Sequence, residues 1–445
     1  MARDDLKMDN ARLFVLKLLI KMENSGYSNI ILNKALLESK MTLQDKKFAS
    51  SLFYGVIERK ITLDFIMKKY LSMPFEKIDN DILQILRIGF YQLVYMSSVP
   101  ESAAVNESVN LAKSTRKKSA VGLVNAVLRN FIRDNKQINF PENKLEHLSI
   151  KYSCPLWLVQ KWISEYGEGN IESLLQSTVA IPETALRVNV LKTSTDELSE
   201  KLSLENIFVK KHKSIPNCLL VKSGDLESLK SFNDGLFHVQ DVSSQLCCMA
   251  LDPKEGEVVL DMCAAPGGKS FTLAQLMNLN GIIYAFDLHE KRVNLIRKGA
   301  ERLGIDCIKA GTGDAREFNP NIPLADKILC DVPCAGLGVI SKKPEIKYKN
   351  PDELGNLPEI QYSILKNASK YLKPGGEIVY STCSLSREEN DEVADRFLRE
   401  NPDFSGKSFL EEYGGPFGNY KVTILPADFN SDGFFIAKFV KKNNV

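Results

Sequence analysis

From residue 257 onward, short apolar runs of strand length take turns with segments of helical period, and this alternation constrains the fold more than any other feature of the chain. EVVLDMC (257–263), IIYAFDL (282–288), CIKAGTG (307–313), KILCDVP (327–333), GEIVYSTCS (376–384) and FFIAKFV (434–440) read as strands. Helices are expected from Ser270 and over 290–303, 358–372 and 388–399. Repeats of this kind build a doubly wound α/β sheet whose ligands sit at the carboxyl ends of the strands. The chemistry of residues 239–445 is therefore expected at that end.

Upstream, the pattern changes. Between Asn10 and Phe140, ARLFVLKLLIKM, FASSLFYGVIERK, LDFIMKKYL, DILQILRIGFYQLVYM, AVNESVNLAK and VGLVNAVLRNFI carry apolar residues at helical spacing, with no alternating strand pattern. Residues 1–140 are thus predicted to be an all-α bundle. The pattern breaks at Phe140-Pro141-Glu142-Asn143, and a short helix follows around Trp157 to Trp162, where both indoles read as packing residues. Over 185–238, ALRVNVL and CLLVKS read as strands and STDELSEKLS as a capped helix, so 141–238 is expected to be a linker helix and a small α/β subdomain. A chain of 445 residues accommodates three such parts.

No apolar run approaches the roughly 18 residues of a spanning helix, and MARDDLKMDN lacks the apolar core of a signal peptide, so a cytoplasmic protein is expected. Nine cysteines, an odd number, then point to reduced thiols, and with four histidines and no paired C-x-x-C they argue against a zinc site. Cys330, inside the run Ile328-Leu329-Cys330, reads as a buried strand residue. The net charge of +2 hides an asymmetry: residues 1–140 hold 22 Lys and Arg against 14 Asp and Glu, the remainder 36 against 42. Lys113, Arg116, Lys117, Lys118, Arg129 and Arg133 would bracket the junction of two helices, either as a phosphate-facing patch or as a solvated basic face.

The turn DMCAAPGGKS (261–270) ends like a phosphate-binding loop, yet Cys263 stands at its first glycine position and Pro266 removes an amide from the cradle. An ATP site with ILCD as its magnesium strand is the weaker reading. Asp261, Asp287, 26 residues on, and Asp314 close three successive strands, and such a row of carboxylates suits a cationic nucleoside ligand. S-adenosylmethionine, a sulfonium carrying adenosine, has that charge and shape.

DVPCAGLG (331–338) sets Asp331 and Cys334 at the mouth of the fourth strand, and YSTCSLSREEN (380–390) sets Cys383 at the mouth of the fifth. Carbon 5 of cytosine is a poor nucleophile until a thiolate adds to carbon 6 and makes the ring an enamine, which can then take a sulfonium methyl. An acid group on the N3 and amine edge eases that addition, a role that falls to Asp331, carrying or sharing a proton. An amine-directed transferase would instead use an Asp/Asn-Pro-Pro-aromatic turn, and Cys334 occupies its aromatic position.

Together, DMCAAPGGKS, DVPCAGLG and YSTCSLSREEN resemble the RNA 5-methylcytosine methyltransferases of the Nop2/Sun family. FYGVIERKITLDFIM, VPESAAVNESVNLAK and VGLVNAVLRNF resemble the NusB RNA-binding domain, and RVN (187–189) and FHVQDVSSQL (237–246) also match the family. The resemblance implies a Rossmann-like S-adenosylmethionine-dependent domain that methylates carbon 5 of a specific cytosine in 16S ribosomal RNA, acting as a monomer, with neither metal nor membrane. By the same resemblance Cys383 is the nucleophile and Cys334 assists release. Cofactor contacts fall on Cys263, Ala264, Ala265, Pro266, Gly267, Gly268 and Lys269, then on Asp287, Asp314 and Asp331. Val332, Ala335 and Ser270 depart from the commonest residues at their positions without touching the thiols. The target base would have to leave its stack, since carbon 6 is attacked from above the ring. Two alternatives are the same chemistry on another RNA, such as tRNA, and an RNA-binding assembly factor with a silent catalytic fold.

Overall fold

The structure, a computed structural model, describes residues 10–22, 28–115, 117–180, 183–222, 224–414 and 416–443. The chain divides into two compact units, the first comprising the described residues up to Ala180 together with Ile340–Lys349.

This first unit is helical: α1 (Ala11–Met22), α2 (Ser28–Glu38), α3 (Leu43–Glu58), α4 (Lys60–Tyr70), α5 (Asn80–Tyr95), α6 (Glu101–Ser114), α7 (Val121–Arg133), α8 (Lys144–Lys151), α9 (Leu156–Tyr166) and α10 (Glu168–Ser177). Helix α7 shows why: Val124, Val127, Leu128 and Phe131 recur at helical spacing and are buried, while Arg129 and Arg133 face solvent. Each such large apolar side chain removed from water contributes about 1.5–3 kcal/mol. Lys113 and Lys117 are also exposed, with Lys117 3.3 Å from Asp79; Arg116 and the side chain of Lys118 lie outside the described residues. Trp162 is fully buried, as a packing residue would be.

Three features depart from the sequence reading. The helical unit runs on past residue 140 to Ser177, and α2 was not anticipated because SNIILNKALLE has a weak apolar stripe, with only Ser28 and Leu32 buried. Residues 340–349 also belong to this unit. The fully buried Lys347 donates to Glu58 O at 2.7 Å, Tyr348 Oη to Ile57 O at 2.9 Å, and Ser28 Oγ to Glu345 Oε2 at 2.7 Å. Such contacts span about three hundred residues of chain, so no local period announces them.

The second unit holds two sheets. The smaller, entirely antiparallel, has the order β2-β3-β1-β4, with β1 (Thr184–Val188), β2 (Val209–Lys211), β3 (Cys218–Val221) and β4 (Phe237–Val239). Helix α11 (Thr195–Leu204) crosses it, started by a reciprocal capping box between Ser194 and Glu197. After a four-residue helix α12 (Lys230–Asn233), α13 (Val242–Leu251) leads into the larger sheet.

That sheet has the order β10-β12-β9-β8-β5-β6-β7, formed by β5 (Val258–Asp261), β6 (Ile282–Asp287), β7 (Ile308–Thr312), β8 (Ala325–Asp331), β9 (Leu372–Thr382), β10 (Phe404–Gly406) and β12 (Phe434–Lys441), with β11 (Lys421–Ile424) beside β12. The run β7-β6-β5-β8-β9 is parallel, and β12 returns antiparallel to β9. Helices α14 (Gly268–Leu276), α15 (Glu290–Leu303), α16 (Leu357–Ala368) and α17 (Asp391–Glu400) connect the strands. Strand order reverses between β5 and β8, where a doubly wound sheet opens a crevice at its carboxyl edge. Asp261 ends β5 and Asp331 ends β8, so both carboxylates stand at that switch point. No helix among the described residues is long and apolar enough to cross a membrane.

Candidate active site

The turn after β5 is built to bring backbone close to a ligand. Gly267 has φ +110°, and a Cβ there would lie 2.4 Å from the Phe271 ring, so glycine is required for the entry into α14. Ala264 N donates to Phe286 O at 2.7 Å and Arg292 to Ala265 O at 2.7 Å, which hold the loop against β6. The loop walls a cavity of about 200 Å³ with Asp261, Asp331, Val239, Gln240, Asp241 and Ser244.

Asp261 is buried, with Oδ2 accepting from Ser270 Oγ at 2.6 Å and Oδ1 without a hydrogen-bond partner. Burial pushes its carboxyl up to about 7, opposed by the Ser270 bond and reinforced by the Asp331 charge. An orphaned, buried acceptor on a cavity wall suits an N–H donor of a bound molecule.

Asp331 accepts from Lys269 Nζ at 2.7 Å and from Ser381 Oγ at 2.8 Å. Burial, the largest single influence, works against the Lys269 ammonium, but the Asp331 charge, the neighbouring Cys247 and Cys248 and the Asp331 hydrogen bond together hold the amine above its ordinary range. The ammonium that a phosphate loop would aim at its ligand is thus committed to a carboxylate. Both oxygens of Asp331 are thus engaged, one by the Lys269 amine and the other by the Ser381 hydroxyl.

Cys334 and Cys383, at the mouths of β8 and β9, have their sulfurs 3.1 Å apart, as two free thiols sharing a hydrogen bond. This bond pulls Cys383 down and pushes Cys334 up. Burial opposes the lowering at Cys383, where Lys269 counters Asp331, while Cys334 faces the negative charges of Glu389 and Asp331. The strand cysteine, Cys330, is fully buried, as expected.

The remaining carboxylates stand apart from the cavity wall. Asp287 is paired with Arg292 at 3.1 Å, and Asp314, two residues beyond β7, is paired with Arg316 at 2.5 Å. The row predicted from three strand ends is therefore present along the carboxyl edge, but each of these two is neutralised by an arginine.

Residues 248–440 match the family 16S rRNA methyltransferase RsmB/F, residues 9–133 the NusB family, and residues 154–225 the ferredoxin-like domain of RsmF/B-like methyltransferases. The chain is 38% identical over 447 aligned residues to the curated protein "Probable ribosomal RNA small subunit methyltransferase B" of Bacillus subtilis (strain 168), covering 98% of this chain and 100% of that one. It belongs to the ribosomal RNA small subunit methyltransferase B family. The crystal structure of PH0851 superposes with TM-score 0.82 at 26% identity, over 97% of this chain and 98% of that one. A methyltransferase homolog protein from Pyrococcus horikoshii superposes with TM-score 0.58 at 30% identity, over 68% of this chain and 100% of that one.

Within this methyltransferase fold, several lining residues escaped the sequence reading. Gln240, Asp241 and Ser244 lie in FHVQDVSSQL, a stretch matched to the family without a role. Gln240 Nε2 donates to Gly268 O at 3.2 Å and Thr272 Oγ1 to Gln240 Oε1 at 2.6 Å, tying β4 to the start of α14. A polar pair directly after a short strand was the available signal.

Proposed function

We propose that this chain transfers the methyl group of S-adenosylmethionine to carbon 5 of a specific cytosine in 16S ribosomal RNA through a covalent Cys383–base intermediate. The observation that carries the reading is the pair of thiols 3.1 Å apart, beside the Asp331–Lys269 pair, on the strand edge that also carries the loop cavity. An enzyme that methylates a nitrogen or a ribose oxygen has no use for two hydrogen-bonded thiols.

The cavity fits the donor chemically: the orphaned Asp261 oxygen would accept from its ammonium, and the Cys263–Lys269 turn would line the amino-acid end. Asp287 ends the next strand outward and Asp314 lies two residues beyond the one after it, in the direction a nucleoside would run. When bound, the donor supplies an electrophilic methyl group. The protein's own residues do the rest. The Cys383 thiolate adds to carbon 6 while the Asp331–Lys269 pair accepts a hydrogen bond from the exocyclic amine and gives N3 a proton; once carbon 5 carries the methyl group, Cys334 assists removal of the carbon-5 proton, the carbon 6–sulfur bond breaks, N3 returns its proton and the methylated base departs. The exposed basic residues of α6 and α7 would hold phosphates, which position an RNA without choosing its base.

The test is the product. Small-subunit RNA incubated with isotopically labelled donor and digested to nucleosides should carry the label in 5-methylcytidine; label in an N-methyl or 2′-O-methyl nucleoside contradicts the proposal.

A further inference from the structure

The SREEN end of the Cys383 motif sits between β9 and α17 and holds one of the most buried carboxylates among the described residues. Glu389 is 3% exposed. Its Oε2 accepts from Ala335 N and from Gln361 Nε2, both at 2.8 Å, and its Oε1 from Ser384 Oγ at 2.5 Å. All three donors are neutral. Burying a carboxylate on such terms is costly, and a structural role alone would be served by an uncharged acceptor.

Two of the partners are chain neighbours of the thiols, and the third bonds to the residue before one of them. Ala335 follows Cys334, and Gln361 Nε2 also donates to Pro333 O at 3.0 Å, so the Cys334 turn is gripped on both sides. Ser384 follows Cys383. The adjoining Asn390 accepts from Thr382 Oγ1 at 2.6 Å and donates to Ser384 O at 2.9 Å, so the Cys383 turn is gripped on both sides as well. Gly338 N donates to Cys383 O at 2.9 Å, and a Cβ at Gly338 would lie 1.9 Å from Gly433 O, which closes the two turns on each other.

Other charged and titratable groups also act on the thiols. Asp331 from β8, Lys269 from α14 and Asp432 ahead of β12 act on Cys383, while Tyr380 of β9 couples to Cys334. Glu389 differs from them in being bonded to both turns at once.

We propose that Glu389 is a positioning residue: its carboxylate locks the Cys334 and Cys383 turns at the observed separation and keeps their shared proton on Cys334, leaving Cys383 as the thiolate. This rests on the reading that the two thiols are the reacting groups. The experiment is alkylation of the full chain by iodoacetamide across pH 5 to 10, without RNA or donor, with Cys383 and Cys334 quantified by peptide mass spectrometry. Wild type should modify Cys383 first. In a folded Glu389→Gln variant the Cys383 profile should move up by about one pH unit and the Cys383 to Cys334 ratio should fall about tenfold, with Glu389→Asp recovering part of both. An unshifted profile and ratio overturn the proposal. Should Glu389→Gln not fold, Ser384→Ala loosens the same clamp, with a fall in the ratio expected and an unchanged ratio overturning the proposal. Because alkylation needs neither substrate, its outcome is independent of whether Cys383 serves in methyl transfer.

Discussion

Lys269 Nζ lies 2.7 Å from one oxygen of Asp331, and Ser381 Oγ lies 2.8 Å from the other. The carboxylate at the switch point is therefore oriented from both sides before any base arrives, and its counter-ion comes from the loop that lines the cavity.

Asp331→Asn keeps the shape and removes the charge, which leaves the largely buried Lys269 ammonium uncompensated. A loss of about 3 kcal/mol is expected, the size found when one partner of a buried pair is removed. Urea unfolding with an unchanged slope and a lowered midpoint would show it; a midpoint equal to wild type would contradict the role assigned to the pair. Methyl transfer to cytosine should fall by about a hundredfold or more.

Asp261 predicts a pH dependence. Its folded carboxyl titrates at about 7, above the unfolded value of about 3.9. Between these values the native state binds a proton that the unfolded chain has lost, so this group makes stability fall as pH rises, by up to about 1.4 kcal/mol per unit, and the effect levels off above 7. His238 acts oppositely. Buried and lowered to about 3, it contributes stability that is present above about 6.5 and is lost as pH falls. Asp261→Asn should abolish the first slope and keep the second, so stability of the variant relative to wild type should rise from pH 4 to 7. A constant difference between the two curves would rule out the raised carboxyl.

The basic face of α6 and α7 is tested without truncation, because residues 340–349 pack within the helical unit and deleting residues 1–140 would strip them of it. Reversing Lys113, Arg129 and Arg133 to Glu should weaken RNA binding and reduce the slope of log affinity against log salt by about two, at about 0.7 to 0.9 per phosphate contact. An unchanged slope would mean these side chains are merely solvated.

What could be read from the sequence follows the range of the interactions involved. The strands β5, β6, β8 and β9 were legible because each is an apolar run ending in a polar or sulfur-bearing residue, and their mouths carry Asp261, Asp287, Asp331 and Cys383. Short edge strands such as β10 and β11 carry too few residues to show a period. The pairing of Asp331 with Lys269 is not legible in the sequence, because the two stand 62 positions apart in the chain. The Glu389 clamp was invisible for the same reason: its carboxylate is understood only once Ala335, 54 positions earlier, is seen at 2.8 Å. Roles within the thiol pair follow from resemblance, and the asymmetry between them emerges only once the two sulfurs are seen hydrogen-bonded to each other, with Lys269 and Glu389 among the charges around them.

The most direct test of the central claim uses the two thiols separately. Cys334→Ala and Cys383→Ala are each incubated with small-subunit RNA and S-adenosylmethionine, then run on a denaturing gel. The account predicts a slowly migrating covalent protein–RNA band with Cys334→Ala, and neither band nor methylated product with Cys383→Ala. Normal methylation by Cys383→Ala, or no adduct from Cys334→Ala under any condition that supports turnover, would contradict it.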